Sequence, residues 1–307
     1  MRYLLVCGVA LYAGSLAQSQ CVRERAPLFP RLQARLRPQP CVRWCPTVSS
    51  RVEPKPEPPK QVDAPPEKFE YVTIRGRVYW PESRAIPPLK IVNNGPAPMP
   101  GFGPELINDL SIEPTNRGVK NVIVWLRPDD TDRTHTFPLD KVKPELRLRG
   151  PNPPMHTIAV KDGNFEPRIL AARAGDQLRF SNTAPVGINV NYSSDAEAFN
   201  VLLQRGAEKK LAKPLEAQRS TIGFACNVHP WLMGRIRVFD HPYFALTDQD
   251  GRFEIRGVPA GRWRIVYQHE LGYHTGKNGV PGFAIDVPDD KPARELLPQE
   301  YLSPLAE

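Results

Sequence analysis

Val72-Thr73-Ile74-Arg75-Gly76-Arg77-Val78-Tyr79 alternates apolar and polar side chains, the pattern of a half-buried β-strand. A long proline- and glycine-rich excursion follows, and then Val119-Lys120-Asn121-Val122-Ile123-Val124-Trp125-Leu126 gives a second strong strand signal. Further signals fall at 156–161, 168–173, 176–181, 186–192, 219–225 and 234–240, then at 243–248, 252–256, 262–269 and 282–286. Asp248-Gln249-Asp250-Gly251 and Pro259-Ala260-Gly261 supply turn chemistry between these runs. One weak helix candidate spans Asp195 to Leu203. Short apolar runs separated by turn residues predict an all-β protein of the sandwich type. The 36 prolines argue the same way, because each removes a backbone donor and ends a helix.

Upstream of this region the composition changes. Arg2, an apolar run from Leu4 to Ala13 and the small-residue stretch Ser15-Leu16-Ala17 predict a signal peptide over 1–17. A buried cytoplasmic strand is the other account of that run. Export would place the protein in the periplasm or outside the cell. The run is too short to cross a bilayer as a helix and no other stretch approaches that length, so a soluble mature chain is expected. Residues 18–69 form a Pro/Arg-rich linker ending in Glu53-Pro54-Lys55-Pro56-Glu57-Pro58-Pro59-Lys60. Such a tail cannot build a core; it is expected to be disordered and extended, a semi-rigid spacer. Much of the net charge of +8 lies there, at Arg23, Arg25, Arg31, Arg35, Arg37, Arg43 and Arg51. That charge either attracts an acidic cell-envelope polymer or lipid head groups, or simply keeps a linker solvated. Nucleic acid is not an expected partner, since no basic patch interleaved with aromatics falls on the folded part.

Of the five cysteines, Cys7 leaves with the signal, while Cys21, Cys41 and Cys45 lie in the linker. An oxidising compartment permits one bridge among those three, and spacing does not say which. A lipid anchor at Cys21 is not expected, because Gln20 is too large for that cleavage pattern. No Cys-x-x-Cys-His is present, so covalent haem is not indicated.

Cys226 stands alone in the folded part, within Cys226-Asn227-Val228-His229-Pro230-Trp231-Leu232-Met233, between two predicted strands. A thiolate, an imidazole and a thioether on one short loop make a soft donor set that suits copper in electron transfer. Cys226, His229 and Met233 are therefore the candidate metal ligands, and copper the candidate cofactor. An empty site, with Cys226 packed as a small apolar side chain, is the competing account. A redox-sensing thiol or another metal remains a third; zinc fits poorly, since it prefers four nitrogen or sulfur donors.

This loop resembles the ligand loop of the cupredoxins (plastocyanin, amicyanin, azurin), with His-Pro-aromatic similar to the amicyanin type. Ala174-Gly175-Asp176-Gln177-Leu178-Arg179-Phe180-Ser181-Asn182 resembles the family's strand preceding the first ligand. Ala184-Pro185-Val186-Gly187-Ile188-Asn189-Val190 is similar to the Asp-Pro-Val-Gly-His-Asn stretch of secreted, methylamine-utilisation-type members. The resemblance implies a Greek-key β-sandwich, a redox partner and a copper ligand at position 188. Ile188 has no donor atom, so the ordinary two-histidine, one-cysteine site cannot form from the matched positions. His156, His241 and His274 are the candidate replacements.

A second resemblance frames the first. Residues 243–270, including Thr247-Asp248-Gln249-Asp250-Gly251-Arg252-Phe253-Glu254-Ile255 and Val258-Pro259-Ala260-Gly261, resemble the carboxypeptidase regulatory-like domain, a transthyretin-like sandwich. Its opening strands are matched far upstream, at Arg75-Gly76-Arg77-Val78 and Gly118-Val119-Lys120-Asn121-Val122-Ile123-Val124. The expected layout is a cupredoxin-like domain, 152–241, inserted into a regulatory-like sandwich with parts at 70–127 and 242–288, and a C-terminal tail at 289–307. Two sandwiches in series are the alternative. Insertion predicts that strand 72–79 or 119–126 pairs with 252–256 or 262–269.

Other patterns are weaker. Asp248-x-Asp250-Gly251 with Glu254 resembles a calcium loop but lacks its remaining ligands, and a hairpin turn accounts for it. His269-Glu270 with His274 is a minor metal candidate. No Gly-x-Ser-x-Gly, His-Glu-x-x-His or phosphate loop occurs, so an enzyme is not expected. Two functions follow as expectations: a secreted cupredoxin-like protein with an incomplete copper and electron-transfer site, or a non-catalytic binding or scaffold protein of the cell envelope with a metal-free fold.

Overall fold

A computed structural model describes residues 68–92, 99–102, 105–107, 111–130 and 136–301. All belong to a unit spanning 62–307. The expected signal peptide, with Cys7, Cys21, Cys41 and Cys45, lies outside the described residues, as does nearly all of the spacer. Among the described residues strands dominate; one four-residue helix, Pro144–Arg147, and two 3-10 turns are the only helical pieces. The protein is all-β, as the alternating runs require.

One sandwich is built from both ends of the described chain. In its first sheet Tyr71–Tyr79 lies antiparallel to Arg252–Pro259, with Val72 opposite Val258 and Ile74 opposite Ile255. In its second, Ile123–Pro128 lies antiparallel to Gly261–His269, with Leu126 opposite Ile265 and Val124 opposite Tyr267. Phe244–Leu246 extends the second sheet on one edge, and Phe283–Val287 pairs with Gly261–His269. The inward faces, including Ile74, Val78, Val124, Leu126, Ile255 and Ile265, form one buried apolar cluster. Removing that surface from water is the main favourable term holding the two sheets together.

The stretch expected as a C-terminal tail contributes to this sandwich. Ala293–Glu295 and Gln299–Glu300 both run parallel to Tyr71–Tyr79, and Tyr301 is fully buried beside them. Two- and three-residue strands held by a neighbour carry no periodicity of their own to reveal them.

The residues between form a second sandwich around a separate core. Its first sheet runs Ala198–Leu203, Ile188–Ser193, Ile222–Ala225, Met233–Phe239, Ile169–Arg173 in spatial order. Its second runs Glu208–Lys210, Gln177–Asn182, Met155–Lys161, Asn164–Glu166. The helix candidate 195–203 is corrected: Ala198–Leu203 is a strand, antiparallel to Ile188–Ser193 with Asn200 opposite Asn191. Backbone pairing and the packing of Phe199 and Val201 against the core override a weak local preference.

The two sandwiches meet through Ile123, Trp125, Ile169, Phe239 and Val266, a small buried apolar cluster. The turn Asp248–Gly251 is closed by Asp248 itself, whose Oδ1 accepts from the backbone N–H of Asp250 at 2.9 Å and of Arg252 at 2.8 Å. Gly251 sits at φ +74°. Hairpin chemistry accounts for those residues, and Glu254 is held by Arg75 and Arg256.

Candidate metal centre

Ile222–Ala225 and Met233–Phe239 are antiparallel neighbours, with Ala225 opposite Met233. The chain between them must reverse in seven residues. It does so by its own backbone bonds: the N–H of Cys226 donates to the carbonyl of Leu232 at 2.8 Å, and that of Leu232 to the carbonyl of His229 at 2.9 Å. Two further ties fix the loop from outside. The Asn227 N–H donates to Asn189 Oδ1 at 3.1 Å, and the Trp231 indole N–H donates to the Gly163 carbonyl at 3.1 Å. Asn189 is itself held by donating to Asn200 Oδ1 at 2.6 Å. Asparagine beside Ile188 therefore anchors the loop whether or not a metal is present.

Within this frame Cys226 and His229 come together. Sγ of Cys226 lies 3.6 Å from Nδ1 of His229, and both residues are buried. Burial lowers the His229 pKa, so the ring is neutral at neutral pH and its nitrogen is free to accept the thiol proton or a metal. The Trp231 ring, 5.2 Å from the imidazole, walls one side.

Met233, the third expected ligand, is not brought to them. Its pairing with Ala225 puts it on the outer face of the sheet, and it is 45% exposed. The residue facing inward is Leu232, which is 0% exposed and packs in the same core as Cys226. The reason is the two-residue period of a strand: consecutive side chains alternate faces, so only one of positions 232 and 233 can face the core. The signal available in the sequence was that alternation, counted back from Ile236 and Gly234.

Ile188 is fully buried in the same core. Phe224 pairs with Tyr192 and Ala225 with Asn191, so the register places Val190 opposite Cys226 and Ile188 on the same inward face, one step on. The replacement histidines are engaged elsewhere. His156 Nε2 lies 2.9 Å from Asp176 Oδ2, His241 Nδ1 accepts from the Tyr243 N–H at 3.1 Å, and the His274 ring packs against Tyr267. Glu270, of the minor metal candidate, pairs with Arg168 at 2.9 Å. Among the described residues no three His, Cys, Asp or Glu side chains converge as a metal-holding group.

What remains is a two-donor pair. Donors 3.6 Å apart are close enough that both could hold one ion. The chemistry of the pair, one thiol and one neutral imidazole, fits a soft cation of low coordination number.

The class defined by this fold and this loop is an all-β sandwich carrying a buried thiol–imidazole pair between adjacent antiparallel strands. Similar solved structures are amicyanins and other cupredoxins. An oxidised single-site mutant of amicyanin is 20% identical, with a TM-score of 0.24, covering 27% of this chain and 79% of that one. A reduced amicyanin mutant is 16% identical, with a TM-score of 0.25, covering 38% and 97%. A purple cupredoxin from Nitrosopumilus maritimus is 19% identical, with a TM-score of 0.22, covering 27% and 97%. No family model and no curated protein matches the chain.

Proposed function

We propose that this chain is an exported, non-catalytic copper protein whose Cys226–His229 pair binds monovalent copper. The carrying observation is the 3.6 Å approach of a buried thiol and a buried neutral imidazole. Charge explains the choice of oxidation state. One thiolate and one Cu(I) leave the buried pair neutral, whereas Cu(II) would leave a net positive charge among Ile188, Val190 and Leu232. Cu(I) also accepts few, soft ligands, and Cu(II) is left short of donors with Ile188 and Leu232 in place. Electron transfer through the site would be slow for that reason, and the proposed role is carriage or storage of copper. In the same proposal the cupredoxin-like segment 152–241 interrupts a regulatory-like sandwich.

A metal-free scaffold is the second reading, favoured by the complete burial of Ile188 and Leu232. Titration with Cu(I) under reducing, anaerobic conditions, in competition with a chromophoric chelator, separates the two. The copper reading expects one tightly held ion per chain and at least a hundredfold weaker binding in Cys226→Ala. The scaffold reading expects no retention by either protein.

A further inference from the structure

The junction between the sandwiches opens into a cleft of about 640 Å³, within the size range of small-molecule sites. Trp125, Phe239 and Tyr273 line it with aromatic surface, and Arg127, Arg219 and Arg237 line it with positive charge. Asp240 is the one carboxylate among its described lining residues. Trp125 stands with its ring centroid 5.6 Å from that of Phe239 and 6.2 Å from that of Tyr273, so the three rings form one cluster.

Arg237 is the unusual member. Its guanidinium lies 5.2 Å from the Trp125 ring centre and 5.6 Å from that of Phe239. One Nη donates to the Arg219 carbonyl, while Nε is buried without an acceptor. Burial pushes its pKa down, and no carboxylate offsets that. A guanidinium has five N–H donors in a planar fork that matches a carboxylate. The guanidinium is half-buried, its Nε–H is shut away from water without an acceptor, and an anion in the cleft would complete it.

We propose that this cleft binds a planar aromatic carboxylate, its ring against Trp125, Phe239 and Tyr273 and its carboxylate on the Arg237 guanidinium, supported by the charge of Arg219; Arg127, also on the lining, is paired with Asp130. The site lies on the sheet face opposite the core that contains Cys226, and it does not depend on copper.

Calorimetric titration of the full-length protein with 2-naphthoate tests this, with 2-naphthamide as the uncharged control and inorganic phosphate as the anion without a ring. Saturable 2-naphthoate binding is expected, with both controls at least tenfold weaker. Arg237→Met should weaken 2-naphthoate at least tenfold without lowering the thermal midpoint, because it removes a half-buried cation whose Nε–H has no acceptor. A second readout needs no variant: 2-naphthoate should shift the indole N–H resonance of Trp125 and leave that of Trp231 in place. No binding, equal binding of either control, retention of affinity in Arg237→Met, or a shift at Trp231 instead of Trp125 would each overturn the assignment.

Discussion

The cross-strand pairing of Ala225 with Met233 decides which side of the sheet each donor of the loop can serve. Cys226 and Leu232 share the inner side, linked by a backbone hydrogen bond and buried in one core, and Met233 has the outer side. Methionine at 232 would place a thioether where leucine now stands, with little change in volume. Leu232→Met is therefore expected to tighten Cu(I) binding by about tenfold, roughly 1.4 kcal/mol, as a third soft donor joins the pair. Met233→Ala should leave the affinity within twofold. Chelator competition on the two variants checks both statements, and a loss of binding in Met233→Ala would return that residue to the site.

At the scale of elements, the end of Phe244–Leu246 is tied to the segment leading into Ile123–Pro128 at a point that no apolar pattern announces. The hydroxyl of buried Thr247 accepts from the Val122 N–H at 2.9 Å and donates to the Val119 carbonyl at 2.6 Å. Thr247→Val keeps the shape and leaves two buried backbone groups without their partner. A loss of about 2–3 kcal/mol is expected, read as a lower urea midpoint with an unchanged slope. A strand with two-residue periodicity, such as Tyr71–Tyr79, was legible in the sequence because it has one apolar face. Ala198–Leu203 was not, since its alternation is shallow and its identity comes from pairing with Ile188–Ser193. The donors Cys226 and His229 were legible as residue types at a short spacing. The face of Met233 was not legible, because spacing along a chain does not specify the face of a strand; its pairing with Ala225 does.

At the scale of the whole molecule, buried histidines make stability depend on pH. His241 lies fully buried near the junction of the sandwiches, against Phe137, Phe239 and Tyr243, and burial with the Arg173 and Arg237 charges pushes its pKa down to about 3. The unfolded chain binds a proton there near pH 6.5, and the folded one does not until about pH 3. Stability contributed by neutral His241 is thus fully present above about pH 6.5 and is lost as pH falls from there toward 3, by about 1.4 kcal/mol per unit. Burial moves His156, His229 and His274 in the same direction. Urea denaturation between about pH 6.5 and 5 should show falling stability, and His241→Gln should flatten the slope by about one proton. An unchanged slope in that variant would mean His241 titrates in the folded protein as it does in water.

X-ray absorption at the copper edge of the Cu(I)-loaded protein bears most directly on the paired thiol and imidazole. A first shell of one sulfur and one nitrogen is predicted, with the sulfur scatterer missing in Cys226→Ala. A shell of nitrogen or oxygen alone, or one unaltered by that substitution, would contradict a copper site at Cys226 and His229.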